Sequence, residues 1–134
     1  MLDKTLLYYI ASPYTAKGHT GEGAKEIEHA RYVEVTRIAA ELTEKEDIAI
    51  LCPITTSHML KVYNDNLGTS WKEWKKIDYI LLKHVDALLV CLMPGWDKST
   101  GVNGEIQIAK NLKIPIYYVD PETLEVRTES HAVH

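Results

Sequence analysis

At 134 residues the chain has room for one domain, and a domain of that size buries most of the surface its unfolded form exposes. A composition of 46% hydrophobic and 25% charged residues argues against disorder. A formal net charge of −4 excludes an overall basic face for duplex DNA or RNA.

The elements alternate along the chain. Leu6 to Ala11 is an apolar, aromatic-rich run closed by Ser12-Pro13 and reads as a first strand. Residues 15–23, with Gly18, Gly21 and Gly23 among small polar residues, read as a loop. These glycines match neither a P-loop nor a dinucleotide fingerprint. From Ala24 to Lys45 the pattern is helical, with Val35, Ile38, Ala39 and Leu42 forming one stripe. Ile48 to Cys52 is a second strand, ended by Pro53, and residues 54–69 hold a short helix and a loop around Asn64 to Gly68.

Ser70 and Glu73 have capping-box spacing and open a helix over 71–84. Asp86 to Leu92 is the most continuous apolar run, as expected of a central parallel strand covered on both faces. A loop through Gly101, a helix over 102–112, the strand Pro115 to Val119 and an edge strand within 124–128 complete the core, and the tail 129–134 reads as frayed. Strands separated by helices predict right-handed crossovers and a three-layer, doubly wound α/β fold with a mainly parallel five-stranded sheet. One domain is expected over 1–134, its core spanning about 5–120. Ligands of such a fold bind beyond the carboxyl ends of the strands, which directs attention to the segment Ser12 to Thr15, with Ser12, Pro13 and Tyr14 as binding candidates, and to the segment Met93 to Glu105.

Glu105 follows the central strand after Thr100-Gly101-Val102-Asn103-Gly104. Near a helix terminus its carboxylate is favoured in the ionised form that suits a nucleophile; acids are also common in first turns for that same reason, and the residues alone leave both readings standing. Asp78 shares a helical face with Trp71, Trp74, Leu81 and Leu82. A carboxylate in an apolar stripe is paired, faces a cavity or sits at the stripe's edge, and burial raises its pKa toward that of a proton donor. His58 is a candidate ligand contact after the second strand, against a structural role. Trp96, in a Pro-Gly-Trp loop, is a candidate for stacking on a base, against packing down its loop. The six histidines show no metal-ligand spacing and the two cysteines, Cys52 and Cys91, form no CxxC pair, so no metal or organic cofactor is expected. Few cysteines, no basic apolar leader and no apolar run of membrane-spanning length predict a soluble, cytoplasmic protein with no membrane partner.

The run Tyr9-Ile10-Ala11-Ser12-Pro13-Tyr14, then Asp78, then Asp86 before the apolar strand, then Ser99, Gly101 and Glu105, resembles the nucleoside 2-deoxyribosyltransferase superfamily, which includes 2'-deoxynucleoside 5'-monophosphate N-glycosidases. The resemblance spans residues 8–119. It is similar in detail to bacterial and phage members with Pro53, Ser57-His58, Trp71, Trp74 and Met93-Pro94-Gly95-Trp96 at these spacings. It implies a flavodoxin-like or Rossmann-like fold. It also implies that Glu105 attacks the anomeric carbon, that Asp78 assists departure of the base, and that the protein is a homo-oligomer. Ser99, where the transferases commonly have aspartate, implies a 5'-phosphate nearby; backbone amides near Gly101 at the helix N-terminus are expected to join it on the anion, with Lys17 or Lys98 as a further contact. Two segments depart from the hydrolases: Ser12 to Lys17 replaces their phosphate loop, and Asp86 to Glu105 is longer. The expected activity is hydrolysis of the base–sugar bond of a nucleoside monophosphate. The alternatives are base transfer between nucleosides, or a non-catalytic module that binds a small-molecule nucleotide; no nucleic acid polymer is expected as a partner.

Overall fold

A computed structural model describes residues 2–129. The expected fraying of the tail falls, from residue 130 on, outside the described residues. The elements are β1 (Leu7–Ala11), α1 (Gly21–Glu46), β2 (Ala49–Leu51), α2 (Pro53–Tyr63), α3 (Trp71–Leu82), β3 (Ala87–Cys91), α4 (Thr100–Leu112), β4 (Ile116–Val119) and β5 (Val126–Arg127). They form one sheet in the order β2-β1-β3-β4-β5. The first four strands run parallel and β5 closes the edge antiparallel to β4. The fold is α/β in three layers, with the strand order of flavodoxin-like proteins. Among the described residues no helix is long and apolar enough to cross a membrane.

Alternation along the strands sorts side chains between the two helical layers. On one face Tyr8, Ile10, Leu89 and Cys91 pack with Val35, Ile38 and Leu42 of α1 and Ile54 of α2. On the other, Tyr9, Ala11, Leu88 and Val90 pack with Leu82 of α3 and Val102 and Ala109 of α4. All five residues of β3 are buried, as the unbroken apolar run predicts for a strand covered on both sides. Cutting Leu88 or Leu89 back to alanine would cost about 2–5 kcal/mol.

Helix boundaries show where local signals were read too narrowly. Pro53 ends β2 and also starts α2, because a proline at the first helical position forgoes only an N–H that has no helical partner. The predicted capping box is present, the Ser70 hydroxyl accepting from the Glu73 amide while the Glu73 carboxylate accepts from the Ser70 amide. Helix α1 begins at Gly21 rather than Ala24, so two of the predicted loop glycines lie inside it. Helix α4 begins at Thr100, two residues early, because Ser99 caps it by accepting from the Val102 amide at 3.2 Å.

Candidate functional site

The order β2-β1-β3 reverses the direction of winding between β1 and β3, and loops leaving these two strands diverge to opposite layers. A cleft of about 640 Å³ opens at that switch point. The β1 loop supplies Ser12, Pro13 and Tyr14, α2 supplies Pro53 and Ser57, α3 supplies Trp71, Trp74 and Asp78, and α4 with its approach supplies Ser99, Gly101 and Glu105. The two expected carboxylates and most of the expected binding residues therefore share one cleft.

Beside it Asp78 and Glu105 meet the buried Tyr9 in a three-residue constellation. Tyr9, on the β1 face turned toward α3 and α4, is fully buried. Its hydroxyl donates to Glu105, and Asp78 lies close enough for the phenol and the two carboxyls to shift one another's protonation. Burial holds the Glu105 carboxyl well above the usual range, the Asp78 charge adds to this, and the Tyr9 hydrogen bond opposes it. Burial raises Asp78 to about 6, again opposed by Tyr9. Tyr9 itself is pushed up by burial and then by both carboxylates, so it remains a phenol.

This reverses one expectation. Glu105 lies in the second turn of α4, because that helix starts at Thr100. There the terminus contributes little, and burial raises the Glu105 carboxyl. Tyr9 was missed as a site residue. The available signal was a phenol inside an apolar strand, whose hydroxyl must reach a partner when buried. Its partner lies 96 residues away in sequence.

The rest of the wall is set by packing and backbone contacts. The Trp71 ring lies over α4 at Gly104, where an added Cβ would sit 2.4 Å from the ring, and approaches Gly101. The Trp74 indole donates to the Gly68 carbonyl at 2.7 Å. Arg31 of α1, not foreseen from sequence, donates to the Thr15 carbonyl at 2.8 Å and to the Tyr14 carbonyl at 3.3 Å, tying down the β1 loop. Lys17 reaches across to the Lys98 carbonyl at 2.7 Å.

Ser12 is buried, lines the cleft and has a hydroxyl with no partner among the described residues. Lys17, Arg31, Lys72 and Lys98 also line it, and among the described residues none of them forms an ion pair. In a chain of net charge −4, these cations and the unpaired hydroxyl make the cleft suited to an anionic, hydrogen-bonding ligand.

Two expected contacts stand off the cleft wall. Trp96 packs on Tyr118, ring centroids 6.1 Å apart, and joins the apolar cluster of the α3/α4 layer. The loop conformation aims it inward, Gly95 having φ 90°, which a residue with a Cβ rarely adopts. His58 lies behind the wall, bonded to Tyr14. Among the described residues no group of three or more His, Cys, Asp or Glu side chains is arranged to hold a metal ion.

Comparison with curated proteins gave no match. The model of one family, described as "Domain of unknown function (DUF1937)", matches residues 7–120, which covers every element from β1 to β4 and all of the cleft residues named above. The chain belongs to the DUF1937 family.

Proposed function

We propose that this protein is an N-glycosidase that hydrolyses the base–sugar bond of a nucleoside or deoxynucleoside 5'-monophosphate. The observation that carries the reading is the pair Asp78 and Glu105, which line one cleft near enough for the Asp78 charge to raise the Glu105 carboxyl, with Glu105 accepting from the buried Tyr9 hydroxyl. Retaining glycosidases act through such a pair of carboxyl groups flanking one sugar.

In this reading the pair carries one proton. Glu105 and Asp78 share it, and the positive charge developing on a bound sugar favours the arrangement with the carboxylate on Glu105 and the proton on Asp78. The Glu105 carboxylate then forms a bond to the anomeric carbon while the bond from that carbon to the base nitrogen breaks. Asp78 gives its proton to the departing base. In the second step water attacks the same carbon, its proton passes to the Asp78 carboxylate, and the bond to Glu105 breaks. One water is consumed, one free base and one sugar phosphate are released, and the pair regains its single proton.

The cations support a phosphate on the substrate. The Ser99 hydroxyl accepts from the Val102 amide, which leaves its hydrogen free to donate to an anion at the start of α4. The test is incubation with a panel of nucleosides and their 5'-monophosphates, reading released base. Release with water alone is the expected result. Exchange that requires an added base would make the protein a transferase, and tight binding without turnover would make it a binding module. Calorimetric titration of matched pairs should show tighter binding of the monophosphate, and equal affinities would remove phosphate recognition.

A further inference from the structure

His58 is singled out by its place after β2, yet its side chain is not on the cleft wall. It is buried between α1 and α2, with 9% of its surface exposed. Its Nδ1 lies 2.7 Å from the Tyr14 hydroxyl. The Tyr32 ring stacks on it at 4.1 Å between centroids and 18° between planes, and His29 Nδ1 lies 3.3 Å from its Nε2. The Tyr14 ring meets it edge-on and itself lines the cleft. The hydroxyl of this wall residue is thus bonded to a group behind the wall, while Arg31 holds its carbonyl. These two contacts restrain Tyr14 at both its backbone and its tip.

We propose that His58 is a positioning residue: through its bond to the Tyr14 hydroxyl it holds the Tyr14 ring in place as one wall of the ligand cleft. The proposal rests on the reading that this cleft is where the nucleotide binds. The alternative is that His58 only fills the interface between α1 and α2, and the chemistry distinguishes the two. Asparagine can present a polar atom where Nδ1 stands, whereas leucine fills similar space without one. An interface filler tolerates leucine better than asparagine; a Tyr14 holder does the reverse.

Protonation state gives a second handle. A neutral imidazole has one N–H and one lone pair for its two neighbours, the Tyr14 hydroxyl and His29. A doubly protonated ring offers only donors, so the Tyr14 hydroxyl must accept and its hydrogen must turn elsewhere. The groups facing His58 are Tyr14 from the β1 loop, His29, Tyr32 and Glu28 from α1, and Lys61 from α2, with Lys61 and Glu28 paired at 3.2 Å. Burial, then His29 and Lys61, lower its pKa against a smaller opposing effect of Glu28, so the ring stays neutral below the ordinary histidine range.

The experiment has two arms. In the first, the Tyr14 ring carbon resonances and the His58 imidazole resonances of the intact protein are followed against pH. Tyr14 should shift with the His58 midpoint, and a Tyr14 signal that ignores the His58 titration overturns the proposal. In the second, each of the four common 2'-deoxynucleoside 5'-monophosphates is titrated by calorimetry into wild type, His58→Asn, His58→Leu, Tyr14→Phe and the double variant Tyr14→Phe/His58→Leu. His58→Leu should weaken binding about tenfold, His58→Asn should restore most of that, and the leucine change should cost little once Tyr14→Phe is present. An undiminished loss in the Tyr14→Phe background, or no loss in His58→Leu, overturns it. If none of the monophosphates binds wild type, the proposed substrate class fails, and the resonance arm alone decides whether His58 holds Tyr14.

Discussion

Tyr8 and Tyr9 are neighbours on β1, identical in chemistry and both fully buried. Alternation sends them to opposite faces of the sheet. The Tyr8 hydroxyl runs to the Asp3 carbonyl, 2.7 Å away near the end of the chain, and finds one neutral acceptor there. The Tyr9 hydroxyl bonds the Glu105 carboxylate, with Asp78 close enough to raise the pKa of the phenol as well. One phenol fastens the residues around Asp3 to the core; the other holds an acid at the place where the sheet's winding reverses. Residue type and burial do not separate structure from function here. What lies at the hydroxyl does.

The sharpest way to break this comparison is to remove an acid from the Tyr9 side. Glu105→Gln keeps the shape of the side chain but cannot form the bond to the sugar. Base release should fall on the order of a thousandfold or more, with the thermal transition retained. Near wild-type release would leave Tyr9 as structural as Tyr8.

The two acids should also set a pH dependence of stability. Their carboxyls hold protons to higher pH in the folded chain than in the unfolded one. Their favourable contribution is therefore complete below the ordinary carboxylate range and is lost as pH rises through the folded values, for Asp78 near 6. Asp78→Asn should then match wild type in denaturant melts at pH 4 and exceed it at pH 8, by on the order of 2 kcal/mol. A gain of the same size at both pH values would show that proton binding is not its source.

Gly104→Ala tests the wall above the pair. Alanine favours the helix by about 1 kcal/mol, but its Cβ would lie 2.4 Å from the Trp71 ring. Overpacking of this kind costs about 1–3 kcal/mol. We expect net destabilisation together with weaker ligand binding, read by melting and calorimetry. A stabilised variant with unchanged binding would mean that Trp71 moves aside freely.

Tyr8→Phe is the control and the smallest effect. Losing its one hydrogen bond should cost about 1 kcal/mol and leave base release unchanged. Tyr9→Phe should slow release and raise the pH of its acid limb, since the bond from Tyr9 lowers both carboxyls.

Much of this was legible in the residues because its causes are local. The β3 run, the α1 stripe and the Ser70–Glu73 box depend on neighbours within a turn or a strand, and each appears where expected. Asp78 stood out because a carboxylate in an apolar stripe needs an explanation. The cleft itself followed from strand order, which the alternation of elements implies. What escaped were contacts made across the fold. Tyr9 meets Glu105 over 96 positions. Arg31 reaches the β1 loop from a helix read only for its apolar face. Trp96 and His58 were read from their loops and flanks, whereas their partners, Tyr118 and Tyr14, come from other strands and loops. The surroundings of Glu105 depend on a related feature: the Ser99 cap sets the start of α4 at Thr100 and places Glu105 in its second turn.

In the proposed reaction two carboxylates beside one tyrosine divide the chemistry, Glu105 bonding to the sugar and Asp78 protonating the base. The direct measurement is the initial rate of base release against the leaving-group pKa for wild type, Glu105→Gln and Asp78→Asn. Loss of the proton donor should steepen the dependence, so Asp78→Asn should approach wild type when the base leaves easily without a proton. Loss of the nucleophile should depress every substrate, activated or not. If an activated leaving group rescues Glu105→Gln as fully as Asp78→Asn, or if Asp78→Asn is slowed equally for all bases, the division of roles is contradicted.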